Sequence, residues 1–240
     1  MKLKARPISS NSPSLPTARL LSYPEYAPVR KLVTGHRGLP TGIFPSVKNG
    51  GPVEYESSGE RFGIYIAEVN VQVQRYFAQP FRLEWIERGK VQSYTPDRLD
   101  MTESGLVVVE MKYSTEKPLK PDYAQKLETA ARILQGAGMT FRLDTAEALK
   151  RSAEFECVEG ILRCNHVTPS LVQQIEISEF LHKRPAATLG EVSERLGAEG
   201  AGRQFACALV PRRILSIDLA RPLFAGSPVT IAEEGLKLVS

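Results

Sequence analysis

Long hydrophobic runs are absent from this 240-residue sequence, and so is an apolar leader at its start. No run approaches the roughly 20 apolar residues that a membrane-spanning helix needs, so we expect no membrane span. The first six residues are basic, but residues 7–16 are polar and proline-rich, which is not typical of a signal peptide. The content of 42% hydrophobic and 24% charged residues is that of an ordinary globular protein. We therefore expect a cytoplasmic protein.

Cysteine and histidine are also scarce, with three of each. The cysteines Cys157, Cys164 and Cys207 do not form the even set that predicts a disulfide framework. Cys164 and His166 are close in sequence, but no second pair has the spacing of zinc ligands. Buried or unreactive thiols are therefore favoured over a zinc site.

Acidic residues are rare in the first 50 positions, where eight Lys or Arg residues accompany only Glu25. This segment has a net charge of +7, whereas the whole chain has +4, so the remainder has −3. Eight prolines in residues 1–52 predict few regular elements. The segment is interpreted either as a basic arm that contacts nucleic acid or as a solvated flexible tail.

Short strands alternate with helices between residues 53 and 167, which predicts one α/β domain. A Ser57-x-x-Glu60 capping box before an apolar face predicts a helix over about 58–69. Pro121 fits a first helical position, and the helix it opens should end at Gly136 or Gly138. Strands are predicted over 81–86, 91–94, 106–113 and 139–143, and a helix with a linker over 145–167. We expect a mixed β-sheet flanked by helices.

Residues 168–240 predict a second, smaller domain. Helices are expected over about 168–182, 188–197 and 201–209, the second opened by a Thr188-x-x-Glu191 capping box. Strands follow at 214–219 and 229–231. Three short helices followed by a hairpin are typical of a winged-helix domain.

The strand that begins with Leu106 ends on two charges of opposite sign, Glu110 and Lys112. Strand side chains alternate between faces, so these two point to the same face and the odd-numbered residues point to the other. Asp97 follows Pro96 and lies thirteen residues before Glu110. A short turn between the two strands would bring the carboxylates of Asp97 and Glu110 together.

Two adjacent carboxylates resist ionisation, and a divalent cation removes that cost. Mg²⁺ is typically held by one or two carboxylates, and it polarises phosphoryl oxygens and acidifies bound water. A nearby lysine can position or deprotonate the attacking water and offset charge in the transition state. The alternative is a surface ion pair at a strand end, with Asp97 as a turn residue. The combination of Pro-Asp, this spacing and Glu-x-Lys favours the PD-(D/E)XK nuclease signature.

These motifs resemble a narrower family, the TnsA-type endonucleases of heteromeric, Tn-seven-like transposases. The resemblance is carried by the two strand motifs above, by "YESSGE" at 55–60, by "VQRYFAQP" at 73–80 and by "ILSIDLARPL" at 214–223. It covers about residues 30–235. It implies a restriction-endonuclease-like core over 53–167, a winged-helix domain over 168–240 and a basic proline-rich arm over 1–52.

The resemblance also implies an active site of three metal ligands and one catalytic lysine: Glu60, Asp97, Glu110 and Lys112. The expected cofactor is Mg²⁺, for which Mn²⁺ substitutes. Glu60 has an alternative explanation as the acid of the capping box, and Glu56 and Glu68 are alternatives for its role. Gln79 resembles the family's Gln-Pro position, but we expect it to satisfy backbone groups.

Several basic residues outside the active site are candidates for DNA contacts, although a solvated basic surface explains them equally well: Lys48, Lys117, Lys120, Arg203, Arg212 and Arg213. The implied activity is cleavage at the 5′ ends of a transposon, while a DDE-type transposase partner cleaves and joins the 3′ ends. An AAA+ regulator ATPase is a second expected partner, and the protein should act at the bacterial nucleoid. The alternatives are another PD-(D/E)XK nuclease (restriction, repair or junction-cleaving) and a non-catalytic DNA-binding assembly subunit.

Overall fold

The computed structural model describes residues 2–8, 16–29, 41–112, 114 and 119–239. Within these residues the chain is a mixed α/β structure of thirteen strands and eight α-helices. The strands are β1 (Lys4–Ile8), β2 (Ala18–Ser22), β3 (Gly42–Ser46), β4 (Gly51–Tyr55), β5 (Val73–Ala78), β6 (Phe81–Glu87), β7 (Lys90–Tyr94), β8 (Arg98–Thr102), β9 (Gly105–Lys112), β10 (Thr140–Thr145), β11 (Ala187–Thr188), β12 (Leu215–Ile217) and β13 (Pro228–Ile231). The helices are α1 (Ser58–Val69), α2 (Pro121–Gly136), α3 (Ala146–Lys150), α4 (Ala153–Leu162), α5 (Leu171–Lys183), α6 (Leu189–Leu196), α7 (Glu199–Ala208) and α8 (Glu233–Lys237).

The chain divides into two compact units. Unit 1 contains Met1–Pro45, Pro52–Gly63 and Arg75–Ala148, and unit 2 contains Ser46–Gly51, Ile64–Gln74 and Leu149–Ser240. The domain bounds expected from the sequence, at 52/53 and 167/168, stay predictions. No helix in the described part of the chain is both long enough and apolar enough to span a membrane.

Unit 1 is built on two four-stranded sheets, with strand orders β1-β2-β6-β7 and β10-β9-β8-β5. Every pair in the first sheet is antiparallel. In the second sheet β8 runs antiparallel to β9, and β10 runs parallel to β9. A parallel pair needs a long crossover connection, and the chain between β9 and β10 contains α2.

Helix α2 begins at Pro121, as predicted, and ends at Gly136. Its buried residues Leu127, Ala130, Ile133 and Leu134 recur at helical spacing and form one apolar face. This face joins a buried cluster with side chains of β6, β8 and β9: Phe81, Leu83, Trp85, Leu99 and Val108. Burial of these side chains contributes about 1.5–3 kcal/mol each to the stability of this packing.

Three strands, β1, β2 and β3, and the start of β4 lie in the proline-rich segment 1–52, for which few regular elements were predicted. Strand β2 pairs with β6 from Ala18↔Trp85 to Ser22↔Phe81, and β1 pairs with β2. The prediction was wrong for these described residues, because the prolines lie mostly between the strands and the pairing is long-range. Ala18 itself is buried in the unit 1 core.

Unit 2 contains helices α4 to α8 and a small sheet of order β11-β13-β12, in which both pairs are antiparallel. Helix α6 has the predicted capping box, because Thr188 and Glu191 bond reciprocally. Helices α6 and α7 approach closely at Gly202, where an added Cβ would lie 2.0 Å from the Ser193 carbonyl oxygen. Gly200, on the same helix, has open space around it.

Most predicted elements are present, with shifted ends. Helix α1 has the predicted bounds, whereas α5 begins at Leu171, with Ser170 as its N-cap, three residues later than the expected start at Thr168. Residues 145–167 contain two helices, α3 and α4, where one was predicted. The strand expected before the short turn, for which no bounds were predicted, is β8.

Candidate functional site

The register of the β8–β9 hairpin explains the thirteen-residue spacing between Asp97 and Glu110. Thr102 pairs with Gly105 across a two-residue turn, and Arg98 pairs with Val109. One step further along this register, Asp97 lies opposite Glu110. Opposed residues in a sheet point to the same face, so the two carboxylates are neighbours on that face.

Asp97 is fixed through both its side chain and its backbone. Its Oδ2 accepts a hydrogen bond from the Met111 amide at 2.7 Å, and its carbonyl oxygen accepts one from the Gln79 amide at 3.0 Å. Burial, followed by the negative charges of Glu110 and Glu60, raises the pKa of Asp97 to about 7, although the Met111 hydrogen bond and Lys112 oppose the change. The site therefore concentrates negative charge that the protein only partly compensates.

Glu110 is 3% exposed, and Met111, which points to the other face of β9, is 7% exposed. Its Oε2 accepts a hydrogen bond from the Tyr94 hydroxyl at 2.7 Å. Its Oε1 accepts one from the Tyr123 hydroxyl at 2.7 Å and one from Lys112 Nζ. Burial next to Glu110 raises the pKa of Tyr94, so this phenol remains a donor. These bonds make a buried carboxylate tolerable.

Lys112 is half-buried and makes two polar contacts. Its Nζ pairs with Glu110 and donates to the Tyr123 hydroxyl at 2.8 Å, while lying 4.6 Å from the centre of the Tyr123 ring. Burial would lower the pKa of Lys112, but the Glu110 carboxylate and the Tyr123 hydroxyl together hold it above its usual value. Lys112 is therefore a cation here, and a cation stabilises developing negative charge.

The two tyrosines of this network were given no role on sequence grounds. Tyr94 ends β7, and Tyr123 lies in the first turn of α2, two residues after Pro121. Burial raises the pKa of Tyr123 to about 12, an effect that the hydrogen bond from Lys112 opposes and the Glu110 charge strengthens. Their contribution depends on the packing of β7 and α2 against β9, which no local pattern encodes.

Glu60 lies in the first turn of α1, and its carboxylate has local partners. It accepts hydrogen bonds from the Glu56 amide at 2.9 Å and the Ser57 hydroxyl at 3.4 Å, while its own amide donates to Ser57 Oγ at 3.1 Å. These are helix-capping contacts. The charge of Glu60 nevertheless contributes to the raised pKa of Asp97.

The two alternatives to Glu60 have other contacts. Glu56 accepts a hydrogen bond from Gln79 Nε2 at 3.2 Å. Glu68, in unit 2, is fully buried and accepts hydrogen bonds from the Ser46 hydroxyl and the Val47 amide, both at 2.7 Å. The charge of Glu60 is among the causes that raise the pKa of Asp97, whereas the charges of Glu56 and Glu68 are not.

The donor chemistry of this site fits a hard divalent cation. Asp97 and Glu110 supply carboxylate oxygens, and the raised pKa of Asp97 is the expected sign of carboxylates that share a site without a cation. Among the described residues, no group of three or more His, Cys, Asp or Glu side chains is arranged to hold a metal. Mg²⁺ needs fewer, because one or two carboxylates with water and substrate phosphate suffice.

A buried ion pair lies directly behind Asp97. Arg98 donates to both oxygens of Asp100, at 2.6 and 2.9 Å, and both side chains are almost fully buried. Arg98 Nη1 has no hydrogen-bond partner. It faces Gly63 of α1, where an added Cβ would lie 2.5 Å from Nη1 and 3.1 Å from Met111 Sδ. Gly59, one turn earlier, has only an ordinary contact of 3.4 Å with Ala146.

The basic candidates for DNA contacts are mostly engaged within the protein. Lys48 Nζ donates to the carbonyl oxygens of Ala67 and Asn70 at the end of α1, at 2.8 and 2.6 Å. Lys120 is exposed just before α2. Lys117 lies outside the described residues.

The three arginine candidates belong to unit 2. Arg203 is exposed and donates to the Leu223 carbonyl at 3.1 Å. Arg212 donates to the carbonyls of Ala208 and Val167, and Arg213 is 6% exposed and pairs with two glutamates of α8. A role of these residues in DNA binding stays a prediction.

The free thiols are found in unit 2. Cys157 and Cys207 are buried, and Cys164 is half-buried. Interaction with the Cys207 thiol lowers the pKa of Cys164 to about 7, with further help from His166 and Arg203 and against the effect of burial, while the Cys164 thiol itself donates to the Gly160 carbonyl at 3.8 Å. Cys164 is therefore a candidate reactive thiol.

A scan of protein-family models finds no match to the chain, and a search of curated proteins finds none either.

Proposed function

We propose that this chain is a metal-dependent DNA endonuclease of the PD-(D/E)XK class. The observation that carries the proposal is the end of β9, where Glu110 and Lys112 are paired beside the opposed carboxylate of Asp97. A surface ion pair, the simpler alternative, does not account for a 3% exposed carboxylate with three donors and a neighbouring acid whose pKa is raised.

Each residue has a role that follows from its contacts. Asp97 and Glu110 would hold Mg²⁺, and the charge of Glu60 would add to the negative field at the site. When bound, the metal would supply Lewis-acid activation of a phosphodiester and of water. Lys112, held as a cation, would bind a non-bridging oxygen of the scissile phosphate and offset its growing charge. The Met111 amide and the Tyr94 and Tyr123 hydroxyls would orient the two carboxylates.

Within this class we propose a TnsA-type role, with a restriction-endonuclease-like core and a winged-helix domain in the second part of the chain. The order α5-β11-α6-α7-β12-β13, with its three-stranded antiparallel sheet, supports the winged-helix assignment. The element order β8-β9-α2-β10 around the site supports the nuclease core. The partners would be transposon-end DNA, a DDE-type transposase and an AAA+ ATPase.

The test combines the purified chain with its candidate transposase partner, end DNA and Mg²⁺ or Mn²⁺. Nicks are mapped on both strands for the wild type and for Asp97→Asn. We expect nicks at the 5′ ends of the element with the wild type only. A Glu128→Gln variant, which removes an exposed carboxylate from α2 outside the groove and the site, should cut like the wild type.

Three other outcomes would contradict different parts of the proposal. Equal nicking by Asp97→Asn and wild type would refute the active site. Metal-dependent cutting without the transposase, at positions unrelated to an element's end, would favour a restriction, repair or junction-cleaving nuclease. DNA binding without cutting by the complete mixture would favour a non-catalytic assembly subunit.

A further inference from the structure

A groove in unit 1 has Tyr123, whose hydroxyl donates to Glu110, among its lining residues. It is an open cavity of about 640 Å³ between the β6–β7 hairpin and the first turns of α2. Its lining residues are Glu87, Arg88, Lys90, Gln92, Asp122, Tyr123, Gln125 and Lys126. We call this cavity the hairpin groove.

Tyr123 belongs to both sites, which makes the groove continuous with the nuclease centre. Its hydroxyl bonds Glu110 and Lys112, while its side chain also lines the groove. If the scissile phosphate of a nucleic-acid strand lies at Lys112, the nucleotides on either side of that phosphate have to extend across the neighbouring protein surface. The hairpin groove is a path that begins one tyrosine ring away.

The lining chemistry fits a sugar–phosphate backbone. It includes three cations, two amides and a phenol, and no aliphatic side chain. Among the described residues, the cations Arg88, Lys90 and Lys126 form no ion pair. The acids of the lining have local explanations: Glu87 lies opposite Lys90 in the strand register, and Asp122 is in the first turn of α2, where a negative charge is favourable.

The backbone conformation at the hairpin tip is a second, independent observation. Arg88 has φ 49° and Gly89 has φ 72°, so both turn residues are left-handed. Turns of this kind favour Asn, Asp or Gly at the first position, and another residue there costs on the order of 1 kcal/mol. An arginine in this position is costly for folding, and its exposed guanidinium at the rim of the groove provides a function that offsets the cost.

From these observations we infer that the hairpin groove binds the phosphate backbone of DNA next to the cleaved position, through Arg88, Lys90 and Lys126. The inference rests on the proposed nuclease function for the identity of the ligand. The groove would position the strand and would not read bases, because its cations lie on a hairpin tip and a helix flank and suit phosphate oxygens.

The test measures binding, so that it does not depend on cleavage. Fluorescence anisotropy with a labelled duplex is recorded over 50–250 mM salt, in Ca²⁺ or without metal, for the full chain. The groove variant Arg88→Gln/Lys126→Gln is compared with Arg82→Gln/Arg132→Gln. The control removes the same two charges from the same strand-and-helix pair, at exposed residues outside the groove.

We expect the groove variant to bind at least about tenfold more weakly at 100 mM salt, with a log–log salt slope smaller in magnitude by about 1.8, since each phosphate contact contributes about 0.9. The salt slope of the control variant should differ from that of the wild type by less than about 0.5. Equal slopes for the two variants, or no DNA binding by the wild type, would overturn the inference.

Failure of this inference is distinguishable from failure of the proposed function. If the wild type nicks DNA and the groove variant binds like the control, the groove assignment is wrong and the nuclease stands. If no protein nicks DNA but the groove variant still loses affinity and slope, the groove is a DNA site on a protein that is not a nuclease.

Discussion

Replacing Asp97 by Asn should stabilise the metal-free protein at alkaline pH. Asparagine has nearly the same shape, and its side-chain oxygen can still accept the Met111 hydrogen bond, but it cannot carry the charge that Glu110 and Glu60 disfavour. The variant therefore removes an electrostatic cost while it leaves the packing of the site intact. Functional sites typically contain residues whose replacement increases the stability of the folded protein.

The magnitude follows from the pKa change. The pKa of Asp97 is raised to about 7 in the folded protein, whereas it is about 3.9 in an unfolded chain. For a raised folded-state pKa, the stabilising contribution is complete below about pH 4 and is lost as pH rises to about 7. The full shift corresponds to at most ~4 kcal/mol at pH 8, and for a half-buried carboxyl we expect about 2 kcal/mol.

Urea unfolding in EDTA at pH 4.5, 6 and 8 measures this effect as the difference in free energy of unfolding between Asp97→Asn and the wild type. The difference should be smallest at pH 4.5, at about 1 kcal/mol or less, and should grow to about 2 kcal/mol in favour of the variant at pH 8. Added Mg²⁺ should stabilise the wild type and not the variant. The reasoning is refuted if the variant is the less stable protein at pH 8, or if the difference does not change with pH.

Asp122→Asn, at an exposed position, should change stability by less than about 1 kcal/mol at every pH.

Three further predictions concern the packing of the two units and the reactive thiol. Gly63→Ala should lower the free energy of unfolding by about 1–3 kcal/mol and reduce nicking, whereas Gly59→Ala on the same helix should be close to neutral in both assays. Gly202→Ala should cost about 3 kcal/mol or more in urea unfolding because its Cβ meets backbone, whereas Gly200→Ala should be neutral or stabilising by up to ~1 kcal/mol. Alkylation of Cys164 by iodoacetamide, followed by mass spectrometry of the native protein, should have a pH midpoint near 7, and a midpoint at or above about 8.5 would contradict the lowered pKa.

The proximity of Asp97, Glu110 and Lys112 could be predicted, because these three residues are close in sequence. A two-residue turn between β8 and β9 fixes the register, and the register alone brings Asp97 opposite Glu110. Alternation along β9 then puts Lys112 on the same face as Glu110. The roles of these residues stay predictions, but their proximity follows from spacing.

Other parts of the site depend on tertiary packing and could not be predicted. Tyr123 reaches Glu110 only because α2 packs across β9, and its position in the sequence gives no sign of this. Arg98 belongs to a segment with a polar sequence. Its side chain is nevertheless buried, because it forms an ion pair with Asp100 on the same strand. Lys48 belongs to a basic segment, and the carbonyls at the end of α1 engage its ammonium group.

Long-range strand pairing was the main source of error in the predicted fold. Strands β1 and β2 have no strong period-two pattern, and they become strands because β6 offers an edge to pair with. The intrinsic strand propensity of a segment has a smaller effect than the presence of a neighbouring strand with which it can pair. The helices were predicted more accurately, because capping residues and apolar spacing are encoded within each segment.

The most direct test of the central claim is the single-turnover rate of DNA nicking by Lys112→Ala, measured in Mg²⁺ with the partner transposase. Lys112 is the cation that would act on the scissile phosphate, and the loss of one such group typically costs about 10²–10³ in rate. We predict a loss of that size in Lys112→Ala and a wild-type rate in Arg132→Ala, which removes an exposed cation from α2. A Lys112→Ala rate within about threefold of the wild type would contradict the claim that Asp97, Glu110 and Lys112 form a nuclease centre.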